Sequence, residues 1–190
     1  ILGGISYSPI SGDKTQNTWG SSDYWIVKTD SLGNKQWDKD FGGTGEDWLP
    51  SLQQTRDGGY ILGGNSKSGI SGDKTQNTWS MDTADYWIVK TDSLGNKQWD
   101  KNFGGTNWED LSSIQQTADG GYILGGTSAS DISGDKTQNA WGTTSDYWIV
   151  KVDSLGNKQW DKNFGGMGND FLQSVQQVSD GGYIIGGYSA

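Results

Sequence analysis

The chain has 190 residues, of which only 31% are hydrophobic, with a mean hydropathy of -0.73 and a formal net charge of -9. Neither His nor Cys occurs, so imidazole bases, thiolate nucleophiles, disulfides and zinc–thiolate centres are excluded. The acidic balance argues against nucleic acid and anionic membrane as partners, since both need clustered Lys and Arg. No apolar run reaches the ~20 residues of a membrane-spanning helix, so no membrane insertion is expected.

The core must come from rings. There are 11 Trp, 8 Tyr and 4 Phe, and each buried ring removes roughly 150–250 Å² from water. Chains that stay disordered are poor in such residues. The 31 Gly stand at fixed places in a repeat, which marks turns and not low complexity.

The chain opens inside a repeat, on Ile1-Leu2-Gly3-Gly4, without an initiator Met or a signal peptide. It reads as a fragment or a mature piece. Asp23-Tyr24-Trp25-Ile26-Val27-Lys28 recurs 62 and then 61 residues later, at Asp85 and Asp146. Asp30–Lys39 recurs at Asp92–Lys101 and Asp153–Lys162, and Gly58–Gly64 at Gly120–Gly126 and Gly181–Gly187. Ile-Ser-Gly-Asp-Lys-Thr-Gln-Asn stands at Ile10–Asn17, Ile70–Asn77 and Ile132–Asn139. Copies differ in length just after this motif, as surface loops do.

One full copy predicts four strands. The first runs Asp47–Thr55, and Arg56-Asp57-Gly58-Gly59 turns the chain into the second, Tyr60–Gly64. A polar loop, Asn65–Ala84, leads to the third, Asp85–Thr91, rich in aromatic and β-branched residues. Ser93-Leu94-Gly95-Asn96 is the next turn. The fourth strand, Lys97–Phe103, puts Lys97, Trp99, Lys101 and Phe103 on one face. Nothing has helical periodicity.

The expected fold is all-β, a tandem of four-stranded antiparallel blades of a β-propeller. The segments are a partial blade at 1–46, blades at 47–108 and 109–169, and a partial blade at 170–190. That is three blades plus one extra strand. Closed propellers typically hold about 4–8 blades, so the unit belongs to a longer array or to an assembly of copies. An assembly whose rotation does not close would be a filament.

A hydrophobic strand ending in Gly-Gly, then an aromatic-led strand, then a strand with one Trp resembles kelch and galactose-oxidase blades. In one copy these landmarks are Ile123–Gly126, Tyr147 and Trp160. The whole chain, with its GGYILGG, SGDK, DYWIVK and GNKQWDK segments, is similar to repeats of large secreted Bacteroidetes proteins. Those often carry type IX secretion sorting domains. The resemblance implies export, cell-surface display and propeller modules. It also implies O-glycosylation at Asp-Ser/Thr-apolar triplets, which would fall on Ser31, Ser93, Ser154 and Thr83. As plain sequence, Asp-Ser-Leu-Gly-Asn is a good turn.

Trp19, Trp79 and Trp141 lie in polar loops. Such rings suit stacking on the C–H faces of sugars, or they pin each loop to its neighbour; pinning is the favoured reading. Asp13, Asp73 and Asp135 are the candidate Ca²⁺ ligands, although their spacing is not that of a calcium loop and Lys follows each directly; otherwise no cofactor is expected. Glu46, Asp47, Glu109 and Asp110 show no pairing that marks a glycosidase, and no catalytic constellation is visible. The chain is therefore expected to be no enzyme but an extracellular structural or adhesive repeat, partnered by further copies of itself or flanking blades. A multivalent, lectin-like propeller that binds glycans is the alternative, and a non-catalytic part of a secreted enzyme the third reading.

Overall fold

The computed structural model describes all 190 residues and contains strands, bridges and turns but no helix. The strands are β1 (Leu2–Ser6), β2 (Asp23–Thr29), β3 (Lys35–Phe41), β4 (Asp47–Gln54), β5 (Tyr60–Ser66), β6 (Asp85–Thr91), β7 (Lys97–Phe103), β8 (Glu109–Gln116), β9 (Tyr122–Ser128), β10 (Asp146–Val152), β11 (Lys158–Phe164), β12 (Asp170–Gln177) and β13 (Tyr183–Ser189). They form four antiparallel sheets in the orders β1-β2-β3, β4-β5-β6-β7, β8-β9-β10-β11 and β12-β13, none of them closed on itself.

The turns follow from side-chain chemistry. At the β2–β3 turn, Asp30 Oδ1 accepts from the backbone N–H groups of Leu32 and Asn34, both at 2.9 Å, an Asx turn. Gly33 supplies the positive φ of 84°. The Asp-Gly turn between β4 and β5 works the same way: Asp57 Oδ1 accepts from the Gly59 N–H at 3.0 Å and from Thr55 Oγ1.

One strand end differs from the sequence expectation, and one strand holds a proline. The second strand continues past Gly64 to Ser66, because Asn65 and Ser66 pair with Tyr86 and Asp85. The first strand tolerates Pro50 because β4 is an edge strand with a bulge between Trp48 and Ser51, where no ladder N–H is needed. The copies without Pro have their irregularity at the matching place, Leu111/Ser113 and Leu172/Ser174. The bulge is therefore built into the repeat.

Successive sheets bury their faces against each other. Tyr24, Ile26, Phe41 and Leu49 meet Tyr60, Leu62, Trp87 and Val89 in one apolar cluster. Ile61, Tyr86, Ile88 and Phe103 meet Leu111, Ile114, Leu124 and Trp148 in the next. The Tyr24 ring lies 4.8 Å from that of Trp87, and its hydroxyl donates to the Trp87 carbonyl at 3.0 Å; Tyr86 treats Trp148 alike, at 4.9 and 3.1 Å. Gly63 explains the close approach: a Cβ there would press within 3.1 Å of Ile114 and Leu111.

The first strands of successive sheets run side by side, β4 touching β8 and β8 touching β12. Their exposed backbone donors are capped across the gap. Ser51 Oγ and Gln53 Oε1 accept from the N–H groups of Ile114 and Gln116 at 3.1 and 2.7 Å. Ser113 and Gln115 do the same for Val175 and Gln177 at 3.3 and 2.7 Å. Bare strand edges invite unwanted pairing; here the neighbouring sheet satisfies them.

Candidate functional site

Most of the polar chemistry sits in the β1–β2, β5–β6 and β9–β10 loops. In the Ser-Gly-Asp-Lys-Thr-Gln-Asn motif almost every side chain has a fixed task. Asn17, Asn77 and Asn139 close the loop by accepting from the N–H groups of Ile10, Ile70 and Ile132 at 2.9–3.0 Å. Thr75 gives both its N–H and its hydroxyl to Asp100 at 2.9 Å, and the indole of Trp87 gives a third bond to the same carboxylate at 3.1 Å. Gln76 Oε1 accepts from the backbone of Asn102 at 2.8 Å, capping the outer edge strand β7. Lys74 is buried and bonds to Asn102; Lys136 bonds to Asn163 at 2.6 Å, and Lys14 forms a buried ion pair with Asp40. Burial pushes the Lys74 ammonium down to about 8, against the pull of Asp47, Asp85 and Asp100.

The candidate calcium residues serve the sheet contacts. The Asp73 N–H donates to the Gly42 carbonyl of the preceding sheet at 2.8 Å, and its Oδ2 accepts from Trp19 Nε1 at 3.1 Å. Asp135 does the same with Gly104 and Trp79, at 2.8 and 2.9 Å. Asp13 accepts through its carbonyl from Lys35. No three carboxylates converge on a point where a metal ion could be held.

Trp19 and Trp79 thus reach the loop of the next sheet, yet both stay exposed, as does Trp141. Beneath the first two lies a glycine. A Cβ at Gly72 would stand 2.8 Å from the Trp19 ring, and one at Gly134 would stand equally close to Trp79. Both glycines also have a positive φ, 55° and 56°, which L side chains rarely adopt. A groove of about 590 Å³ runs beside Trp19, lined also by Asn17, Lys39, Asp73, Asn96 and Lys97.

Ser31, Ser93 and Ser154 are exposed on the hairpin tips. Thr83 differs: its hydroxyl oxygen is buried without a hydrogen-bond partner, so it is not presented to a modifying enzyme. Glu46 pairs with Lys67 at 2.7 Å. Asp47 and Glu109 are buried and cap the Gly43 and Gly105 N–H groups, each at 2.8 Å. Burial raises Glu109 to about 7, although Ser130, Gly105 and Ser128 bond to it. Asp110 is engaged by Asn65. Each of these acids is held by its own local partners.

One cluster has no counterpart in the other copies. Lys67 lies between two indoles, 5.0 Å from the Trp48 ring and 4.9 Å from that of Trp108, a cation–π arrangement. Periodicity cannot reveal it, because Asp110 and Phe171 replace Trp48 in the sister copies.

No protein-family model matches the chain. The chain is 26% identical over 175 residues to the "Regulatory protein FlaEY" of Caulobacter vibrioides. The match takes in 88% of this chain but only 18% of that protein, so the likeness concerns one segment of a much longer molecule.

Proposed function

We propose that the chain is a run of β-propeller blades from an extracellular structural or adhesive repeat protein, whose sheets are completed by further copies of the same unit. The observation that carries this reading is the repetition of the sheet-to-sheet contact itself. Tyr24 on Trp87 and Tyr86 on Trp148 are the same joint made twice, and Leu2 and Ile184 hold out to solvent the positions that the inner sheets bury. The adjacency of β4, β8 and β12 supports an arrangement of blades around an axis. Export and surface display rest on the resemblance of the repeats to secreted Bacteroidetes proteins. Ser31, Ser93 and Ser154, on exposed tips, are the proposed O-glycan carriers.

Sedimentation of the purified chain over a range of concentrations tests the reading. Self-association is expected, and Leu2→Asp with Ile184→Asp is expected to abolish it without loss of β-sheet circular dichroism. A chain that stays monomeric at its highest soluble concentration, or that turns over a polysaccharide, would overturn it.

A further inference from the structure

We infer that Trp19 and Trp79 are two equivalent, prebuilt stacking platforms for the pyranose rings of a polysaccharide. Two such platforms lie within a single copy. It rests on the way these indoles are held. A Trp that only pins a loop gains by burying both ring faces. Here one face lies on a glycine of the next sheet, and Nε1 is tied to Asp73 or Asp135. Even so, Trp19 remains 59% exposed and Trp79 54% exposed. The ring is fixed in place while much of its surface stays in water. Binding therefore costs little side-chain ordering, one of the entropic penalties of association.

The surroundings of Trp19 suit hydroxyl groups. Lys14 and Asp40 neutralise each other, and Lys97 is held by the Asp73 carbonyl and by Asp100. That leaves Lys39, with only Asn96 Oδ1 at 3.3 Å, and the side chains of Gln16, Asn17 and Thr18 as available donors in the groove. One lysine and amides beside an indole match a sugar, with an apolar C–H face and a polar rim. A nucleotide or a polyanion would require clustered cations. Trp141 also ends a loop and is 62% exposed, but no glycine underlies it and its Nε1 has no carboxylate partner. It serves as the internal control.

Two weak sites on one rigid body gain by avidity on a polymer but not on a short ligand. The test is native affinity electrophoresis through gels containing soluble β-glucan, α-glucan or chitosan, together with tryptophan fluorescence titration with cellohexaose, maltohexaose and chitohexaose. Retardation by at least one polymer is expected. Trp19→Ala or Trp79→Ala alone should weaken polymer binding by about tenfold or more, while hexaose affinity per remaining site changes by less than about twofold. The double variant should lose both, and Trp141→Ala in the monomeric Leu2→Asp, Ile184→Asp background should lose neither. Trp19→Phe with Trp79→Phe keeps a ring but loses the indole N–H, and should retain part of the binding. Unchanged thermal midpoints separate lost binding from lost folding. If no polymer or hexaose of the set binds, or if the double Ala variant binds as the parent does, the inference fails.

Discussion

The inner and outer faces of the stack carry the same residues in opposite environments. Leu62 and Leu124 are fully buried, whereas their counterpart Leu2 is 64% exposed. Ile61 and Ile123 are fully buried, and Ile184 is 61% exposed. Phe103 is 4% exposed and Phe164 45%. Sequence, strand type and local hydrogen bonding are nearly constant across these sets; only the presence of a neighbouring sheet differs. Burial in this fold is thus a property of the joint between sheets. Such quasi-one-dimensional stacks draw much of their stability from nearest-neighbour terms.

The strongest test of that contrast is to truncate one residue type in both settings. Trp87 is fully enclosed, and its counterpart Trp25 is only half-buried. Trp87→Ala should cost about 3–5 kcal/mol, the range for a core aromatic. Trp25→Ala should cost less than half as much. Urea unfolding of both variants measures the difference. Equal losses would mean that each sheet is stable without its neighbour.

Acidity probes the inner joint from another side. Glu109 is raised to about 7 by burial, above the value of 4.5 it has when unfolded. The folded state therefore holds this proton longer, and stability falls as pH rises from about 4.5 to about 7, by on the order of 3 kcal/mol at most. Lys74, lowered to about 8 by burial, acts in a separate window: stability rises between about 8 and 10.5 as the unfolded state alone keeps the proton. Asp119, held at about 2 by Thr117, Lys151 and the Gly121 N–H, removes stability only below about 4. Glu109→Gln should flatten the thermal midpoint between pH 4.5 and 7 and leave the alkaline rise in place. A parent protein with no slope in that interval would contradict the placement of Glu109.

Backbone contact gives a smaller contrast. A Cβ at Gly126 would overlap the Asp110 carbonyl oxygen and crowd Tyr86, whereas one at Gly4 would meet nothing within 4 Å. Gly126→Ala should cost about 1–3 kcal/mol, as overpacking does. Gly4→Ala should be neutral within about 0.5 kcal/mol. Parallel thermal melts of the two variants settle the contrast.

These contrasts also mark what could be read from the residues. Strand type and order were legible because alternation and Asp-Gly or Leu-Gly-Asn turns recur in each copy. Asn65 and Ser66 look like loop in the sequence because polar residues give no alternation signal, yet their backbones complete the β5–β6 ladder. The tasks of Lys14, Lys74 and Lys136 stayed hidden, since a lysine in a polar loop normally faces water. The signal is there in another form: Lys, Thr and Gln keep their order in all three copies although the residues after Trp19, Trp79 and Trp141 drift. The glycines under Trp19 and Trp79 were equally opaque, because the partner lies more than fifty positions along the chain.

The smallest effect concerns a place where one copy departs from the others. Asp40 stands where the sister strands have Asn102 and Asn163. It pairs with Lys14 but leaves its own Oδ1 buried and unpartnered. Asn102 and Asn163 accept from their lysines and also donate to Asp85 and Asp146, both at 2.6 Å. Asp40→Asn exchanges a buried ion pair for a bond from the Lys14 ammonium to an amide oxygen and offers Asp23 a donor in place of a second negative charge. Removing one partner of a buried ion pair usually costs several kcal/mol, but here Lys14 keeps Asp23 and Asp38 as neighbouring charges and gains the amide partner that its sister lysines already use. A change within about 1 kcal/mol, neutral to stabilising, is therefore expected in urea unfolding. The reverse variant, Asn102→Asp, should be the more harmful of the two, because it removes the donor to Asp85 and sets two buried carboxylates side by side. If instead Asp40→Asn proves the costlier, Lys14 depends on a full countercharge, and the first copy is held together differently from its sisters.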